Sequence, residues 1–314
     1  MFRPLLCAVF ALALGVSACE NSAAPDPPVA STAPTGFIQK RVIAGAYVVV
    51  LSPNVASADV ETVAKQLATR HGGTVEHVYT RAIRGFAIDI SATGAAAIER
   101  DSRVVRVDQD VVMMSRPREG NRRARRGQDT SYGTVRVGGS HDGTGRRVWI
   151  IDTGIDFDHD DLNVNERLSK SFVRKGKSAD DQNGHGTHVA GIIGAKNNRI
   201  GTIGVAPNAT LISVRVLDKN GEGQASWIIA GVEHVLANAQ SGDVANFSLG
   251  GGYLPELDDA VLRLAQSGIK IAVASGNDGA DCSFSSPANV THANIHTVSA
   301  VDDTDTFWEW SNYG

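Results

Sequence analysis

From residue 147 onward, short apolar runs of strand length alternate with longer stretches of helical period. Such runs are typical of parallel strands buried on both faces, and their alternation with helices indicates an α/β fold. The pattern predicts a doubly wound parallel sheet with helices on both sides. The predicted strands are 148–151, 211–216, 244–248, 271–274 and 295–301, and the predicted helices are 185–195, 226–239 and 257–267.

Three polar side chains lie at or near the C-terminal ends of predicted strands: Asp152, Ser248 and Asn277. In open parallel sheets, functional sites form beyond the C-terminal ends of the strands. A fourth candidate is His185, which glycines flank on both sides at the start of a predicted helix, so that other groups can approach its ring closely. An acid, a base and an amide donor are three parts of a nucleophilic acyl-transfer site.

A smaller domain is predicted before this sheet, over residues 46–114. Its pattern gives the order strand, helix, strand, strand, helix, strand, with the last strand at 104–108, which is the order of a ferredoxin-like α+β unit. Residues 115–130 follow and are strongly basic. We predict an exposed linker there that is also a processing region, because proteolysis concentrates in such segments. A solvated charge run without processing is the alternative.

The N-terminus predicts export. An apolar run and small residues follow Arg3, so residues 1–19 indicate a signal peptide. Residues 16–19 also resemble a bacterial lipobox, in which Cys19 would carry lipid, and a plain signal peptide is the alternative. Residues 20–45 are rich in Pro, Ala, Ser and Thr and are predicted to form a solvated tether. We expect an extracellular or cell-envelope protein, attached to a membrane only if Cys19 is lipidated.

Charge and motif counts weaken other classes of function. A formal net charge of -4 argues against nucleic acid as the main partner. The triplet that begins at Asp152 is also that of aspartic proteases, but their chemistry needs a second copy, and the 314 residues contain one. His185 and His188 lack the glutamate that accompanies a zinc-binding histidine pair in the HExxH motif.

Four segments, taken in order, resemble the signature segments of the subtilisin-like serine proteases, or subtilases. They are residues 151–156, 185–191, 246–251 and 275–277. Residues 46–114 resemble the inhibitory propeptide of that family. The surroundings of Asn277 and Cys282 are most similar to the proteinase K and aqualysin branch, several members of which pair a cysteine near this position with a later one.

The resemblance implies roles for individual residues. Asp152 would orient His185, and His185 would be the general base, in the acid-before-base order of subtilisins. Asn277 would donate to the oxyanion. Because His185 begins a helix, the helix dipole predicts a preference for the neutral ring. The implied substrate-binding residues are Ser248, Leu249 and Gly250 on one wall, Ala274, Ser275 and Gly276 on the other, and Gly223 at an edge where a peptide adds as a strand.

The nucleophile of the family lies in a Gly-Thr-Ser-Met-Ala segment, and no Gly-Thr pair in the 314 residues is followed by Ser. Ser248, Ser275 and Ser311 match pocket and turn positions and not the nucleophile. We therefore expect a zymogen truncated before its serine, with a sheet incomplete at its C-terminal end and no peptidase activity in the chain as written. The competing hypothesis is an inactive fragment whose residues 46–114 act as a protease inhibitor and folding aid.

The resemblance also bears on cofactors and partners. It implies catalysis without a cofactor, and calcium bound for stability by carboxylates such as Asp156, Asp158 and Asp161, although no complete calcium loop motif is present. The expected partners are peptide substrates and the chain's own propeptide. A monomer is expected.

Overall fold

The N-terminal domain is built by alternating apolar residues that pack strands against two helices. A computed structural model describes residues 40–115, 127–174 and 178–314. The elements of this first domain are β1 (Val42–Leu51), α1 (Val60–His71), β2 (Thr74–Tyr79), β3 (Gly85–Asp89), α2 (Ala92–Ile98) and β4 (Val104–Met114). The strands are antiparallel in the order β4-β1-β3-β2. The structure thus has the predicted element order of a ferredoxin-like unit.

The start of this domain and the end of its last strand differ from the prediction, whereas the predicted end of the domain at residue 114 agrees with the end of β4. Strand β1 begins at Val42, so residues 42–45, which the sequence assigned to the tether, already belong to the domain because Val42 pairs with Val111. Strand β4 ends at Met114 rather than at residue 108. Of the extra residues, Gln109 and Val111 pair with β1, whereas residues 112–114 pair with strands of the second domain, and such distant partners leave no local signal in the sequence.

The second domain, residues 128–314, contains the predicted parallel sheet. Its elements are α3 (Tyr132–Arg136), β5 (Arg147–Asp152), β6 (Lys170–Ser171), α4 (His185–Gly194), β7 (Thr210–Arg215), β8 (Glu222–Gln224), α5 (Ala225–Asn238), β9 (Val244–Phe247), β10 (Gly250–Gly252), α6 (Pro255–Gln266), β11 (Lys270–Ala274), β12 (Ser285–Ser286) and β13 (Ile295–Val298). Six strands run parallel in the order β13-β11-β9-β5-β7-β6.

Both faces of the parallel sheet are covered. Trp149 and Ile151 of β5 point into a cluster formed with α5 and α6, whereas Val148 and Ile150 point into a second cluster that includes Ala190 of α4. Successive residues of a strand face opposite sides, so burial on both sides requires the continuous apolar run seen in β5. The doubly wound architecture expected from the sequence is confirmed.

Several sequence predictions lie outside the described residues. They are the signal peptide and possible lipobox, residues 20–39 of the tether, and residues 116–126 of the basic linker. Residues 128 and 129 are described and already belong to the second domain, since Gln128 donates to the carbonyl oxygen of Lys196 and Asp129 pairs with Thr202. Within the described residues, no helix is long and apolar enough to cross a membrane.

Candidate active site

Strand β5 ends at the point where the order of the sheet changes direction. The chain leaves β5 towards β7 and later returns to β9 on its other side. Asp152 is the last residue of β5 and is fully buried there, and its carbonyl oxygen accepts hydrogen bonds from the backbone of Val216 and Leu217. Crevices at such points are the usual ligand sites of open α/β sheets.

His185 begins α4 and faces Asp152. The distance between His185 Nδ1 and Asp152 Oδ1 is 2.8 Å, and the same oxygen accepts a hydrogen bond of 2.7 Å from the backbone of Thr153. Gly184, before the histidine, has a left-handed φ of 100°. A Cβ at Gly186 would clash with the carbonyl oxygen of residue 154. Gly186 is therefore required for the helix start to approach β5 this closely, and Gly184 for the left-handed turn that precedes it.

Burial and charge act in opposite directions on this pair. Burial raises the pKa of Asp152, and the hydrogen bonds from His185 and Thr153 oppose that rise. For His185, burial lowers the pKa, but the hydrogen bond to Asp152 and the charges of Asp152 and Asp181 raise it above its ordinary value of 6.5. The direction predicted from the helix dipole alone is wrong, because full charges at short range outweigh a partial charge.

One cleft of 490 Å³ brings most of the predicted site residues together. Asp152 lies behind His185, whose side chain is 19% exposed. The cleft is lined by His185 and Asn277, by Ser248, Leu249 and Gly250 on one side, and by Ala274, Ser275 and Gly276 on the other. The arrangement places a histidine paired with a carboxylate opposite an amide side chain, with small residues between them.

The loop that carries Asn277 is held by a residue that the sequence analysis did not select. Asn312 is fully buried, donates to the carbonyl oxygen of Ser275 and accepts from the backbone of Asp278 and Ala280. Because Gly276 has a left-handed φ of 111° and lies against Asn312, a side chain at 276 would have no space. The position of Asn277 in the cleft is therefore fixed by a residue that follows β13 in the chain. No local sequence pattern marks Asn312.

Strand β4 of the first domain occupies this cleft. Met113 pairs with Gly223 of β8 on one side and with Gly251 of β10 on the other, both antiparallel. The Met113 side chain is fully buried, and the backbone of Ser115 donates to the carbonyl oxygen of Gly221. The edge at Gly223, predicted to accept an added strand, thus has one in this structure.

Further contacts between the domains surround β4. The carboxylate of Glu233 in α5 accepts hydrogen bonds of 2.7 to 3.0 Å from three consecutive backbone N–H groups, those of residues 80–82. Asp110 accepts from the backbone of Ser226 at the start of α5. Arg106 contacts the fully buried side chain of Glu256 in α6. Of these carboxylates, Asp110 lies at the N-terminus of α5, where the unpaired N–H groups of the helix stabilise a negative charge.

The aspartates proposed to hold calcium are used in other contacts. Asp161 accepts hydrogen bonds from the side chain of Asn198 and the backbone of Thr202, and Asp156 accepts from the backbone of Asp158. Across the described ranges, no group of three or more histidine, cysteine, aspartate or glutamate side chains is arranged to hold a metal ion. Bound calcium therefore stays a prediction.

Comparisons with known proteins agree with this architecture. The profile of the subtilase family matches residues 143–314, and that of the peptidase inhibitor I9 family matches residues 46–114. The extracellular serine proteinase of Thermus sp. (strain Rt41A) is 36% identical over 96% of this chain and 77% of its own. Proteinase R of Parengyodontium album is 32% identical over 93% of this chain and 76% of its own.

A solved structure is also similar. It is the crystal structure of a cold adapted subtilisin-like serine proteinase, whose sequence is 39% identical to this one. The TM-score is 0.51, and the match covers 55% of this chain and 61% of that one. The fold, the cleft and these similarities define a serine proteinase made with an inhibitory propeptide. Within that class the chain belongs to the subtilase family, and its first domain is an inhibitor I9 propeptide.

Proposed function

We propose that the protein is the zymogen of an exported serine endopeptidase that cleaves peptide bonds with an Asp-His-Ser triad. The observation that carries the proposal is the 2.8 Å contact between Asp152 and His185 at the end of a cleft in which β4 lies as an added strand. A substrate peptide would take the place of β4. The serine would come from sequence outside residues 1–314, which contain no Gly-Thr-Ser segment.

The roles follow from the chemistry of acyl transfer. His185 would take the proton of the attacking serine and pass it to the leaving amine, and the buried Asp152 would hold the ring and stabilise its charged form. The raised pKa of His185 supports this role, since it reflects stabilisation of the imidazolium. Asn277 would donate a hydrogen bond to the oxyanion that develops on the attacked carbonyl.

The test is to complete the chain. Residues 1–314 are fused to a C-terminal segment of a subtilase chosen to contain the family's Gly-Thr-Ser-Met-Ala sequence, and hydrolysis of a chromogenic peptide amide is measured. We expect hydrolysis by the fusion and none by residues 1–314. A fusion in which the supplied serine is replaced by alanine is the control. Hydrolysis by the unfused chain, or by the alanine control at the rate of the active fusion, would refute the triad.

Replacing Asn277 tests the oxyanion role. In the fusion, Asn277→Ala is expected to lower kcat by about 10² to 10³ with little change in KM, as documented for the corresponding donor of subtilisin, because the donor acts mainly in the transition state. Asn163→Ala is the matched control, since Asn163 is exposed and does not line the cleft. An equal loss in both variants would show that the effect is structural.

A second candidate function is inhibition of another subtilase by the first domain. The pairing of β4 with both β8 and β10 supports it, because backbone pairing of this kind does not depend on the side chains of the cleft and would be available at the same edges of a related protease. The test is to titrate proteinase R with residues 1–314. Stoichiometric loss of its activity is expected if the inhibitor function is correct, and unchanged activity would show that β4 is not released from its own β8 and β10 and would exclude inhibition by the intact chain.

Export is supported by the N-terminal signal pattern and by the similarity to the Thermus relative, which is named an extracellular proteinase. We also propose a monomer that needs no catalytic cofactor. Lipid attachment at Cys19 and stabilisation by calcium remain proposals that mass spectrometry of the exported protein and calcium-dependent unfolding would test.

A further inference from the structure

Asp181 lies in the loop before α4 and connects the two elements that carry the Asp152 and His185 pair. Its carboxylate accepts five hydrogen bonds. One oxygen accepts from the backbone of Asn183 at 2.9 Å, the backbone of Gly184 at 3.0 Å and the hydroxyl of Thr153 at 3.0 Å. The other accepts from the backbone and the hydroxyl of Thr187 at 3.0 and 2.6 Å.

Thr153 continues the network to both members of the pair. Its hydroxyl oxygen accepts a 2.9 Å hydrogen bond from the backbone of Gly186, the residue after His185. Its own backbone N–H donates to Asp152 Oδ1, the oxygen that contacts His185. A closed set of hydrogen bonds therefore runs from Asp181 through Thr153 to Asp152 and back through the start of α4.

We propose that Asp181 is a positioning residue that sets the distance and alignment of Asp152 and His185. It would act through Thr153 and the first turn of α4, and it touches neither substrate nor the reacting atoms. The proposal rests on the proposed function only in that His185 is taken as the base. The contacts themselves belong to the folded chain whether or not a serine is present.

A carboxylate suits this position better than an amide. All five partners donate, and an asparagine offers one acceptor oxygen and would turn its NH₂ group towards donors. Burial raises the pKa of Asp181, but these hydrogen bonds outweigh burial and hold the pKa below its ordinary value of 3.8. The group is thus ionised at neutral pH, and its charge, together with that of Asp152, contributes to the raised pKa of His185.

The loop that carries Asp181 is itself anchored by a buried arginine. Arg215, at the end of β7, donates to the carbonyl oxygens of Ser178 and Asp180 and to the side chain of Gln182. Backbone hydrogen bonds also join Ile155, after β5, to Ala179 and Asp181. The position of Asp181 relative to the sheet is therefore fixed independently of α4, as a positioning role requires.

The experiment uses NMR of the imidazole of His185 in the whole 314-residue chain. In Asp181→Asn we expect the pKa of His185 to fall relative to the parent, and the downfield Nδ1–H resonance that reports the bond to Asp152 to weaken or disappear. Asp302→Asn is the matched control, because Asp302 also accepts hydrogen bonds from a loop, those of Thr304 and Thr306, and does not line the cleft. It is expected to leave both signals unchanged.

A second pair of variants covers the case in which Asp181→Asn does not fold. Thr153→Val removes the hydroxyl that connects Asp181 to Gly186, and Thr153→Ser retains it. We expect Thr153→Val to lose the Nδ1–H resonance, as Asp181→Asn does, and Thr153→Ser to retain it. The thermal unfolding midpoints of the two variants are expected to be similar. Folded Asp181→Asn and Thr153→Val proteins with the parent titration of His185 would overturn the proposal.

Kinetics of the fusion protein separate this proposal from the triad itself. There, Thr153→Val is expected to lower kcat with KM retained, and Thr153→Ser to recover most of the loss. If the fusion is inactive while the His185 signals respond as expected, the proposed function fails and the positioning role stands. If the fusion is active and the His185 signals do not respond, the positioning role fails and the proposed function stands.

Discussion

The chain is expected to become less stable as the pH is raised towards 8, chiefly because of Glu256. This residue lies at the start of α6 with a fully buried side chain. Burial raises its pKa, as do the hydrogen bond and the charge of Asp108, and the charge of Arg106 only partly opposes them, so that the pKa reaches about 8. Two carboxyl groups therefore share one partly exposed arginine at the boundary between the propeptide and the second domain.

The geometry indicates where the proton would lie. Asp108 Oδ2 and Glu256 Oε2 are both buried without a hydrogen-bond partner. A proton on Glu256 would give this pair of oxygens a hydrogen bond and would remove one of two negative charges beside Arg106. Asp259, 3.4 Å from Arg106 at the exposed rim, adds a further charge that solvent screens.

The direction of the pH dependence follows from proton binding. The folded chain keeps the Glu256 proton up to about pH 8, whereas the unfolded chain releases it near the ordinary pKa of 4.5. Between these values the folded state binds more protons, so the free energy of unfolding falls by at most about 1.4 kcal/mol per pH unit. This contribution is complete below pH 4.5 and is lost as the pH passes 8.

Other groups restrict the useful range. The pKa of His77, lowered to about 4 mainly by burial, adds stability above pH 6.5 that is lost as the pH falls to 4. The pKa of Asp258 is raised to about 6, chiefly by burial, so this residue also lowers the free energy of unfolding as the pH rises, but over a lower pH range than Glu256. Between pH 6.5 and 8, the contribution of Glu256 to the pH dependence can therefore be observed apart from those of His77 and Asp258. The raised pKa of His185 contributes equally to the parent and to a variant at residue 256, so its contribution cancels when the two are compared.

The measurement is the thermal unfolding midpoint of the 314-residue chain at several pH values between 6.5 and 8.5. In Glu256→Gln the decline with pH is expected to be much smaller than in the parent. Glu222→Gln is the matched control, because Glu222 pairs with Arg41 across the same boundary while its side chain is 45% exposed. A Glu256→Gln chain that declines as steeply as the parent would contradict this account.

The sequence predicted the parallel sheet well because its central strands β5 and β7 are buried on both faces. Strand β5 is a continuous apolar run, and burial of both its faces makes that composition necessary wherever the strand lies in the sheet. The short strands β8 and β10 were not predicted as strands. Each has three residues and forms by pairing with segments far away in the chain, β8 with β4 and β10 with both β4 and β12, so their structure depends on distant partners.

The residues of the candidate site also divide into those that local sequence features predict and those whose role depends on distant contacts. Asp152 and His185 were predicted because a strand end and flanking glycines are local features, and the structure places the two side chains in contact. Asp181 and Asn312 were not predicted, although each organises one part of the cleft. Their importance lies in hydrogen bonds to backbone groups, and any aspartate or asparagine in a loop has the same appearance in the sequence.

The largest effect is expected on replacing His185 in the completed fusion. Loss of the base in subtilisin lowers kcat by about 10⁶, and we expect the same order for His185→Ala if Asp152, His185 and the supplied serine act as a unit. Asp152→Asn is expected to cost less on its own, and the double variant no more than His185→Ala, because a triad without its base has little left to lose.

His188→Ala is the matched control for this series. His188 lies one turn further along α4 and lines a different cleft, together with Asp156 and Asp161, so its removal changes the same helix without reaching the Asp152 contact. We expect kcat within a few-fold of the parent fusion, measured as initial rates on the same peptide amide. If His185→Ala and His188→Ala lost activity equally, helix α4 would serve the cleft through its fold alone, and the base would have to be sought elsewhere.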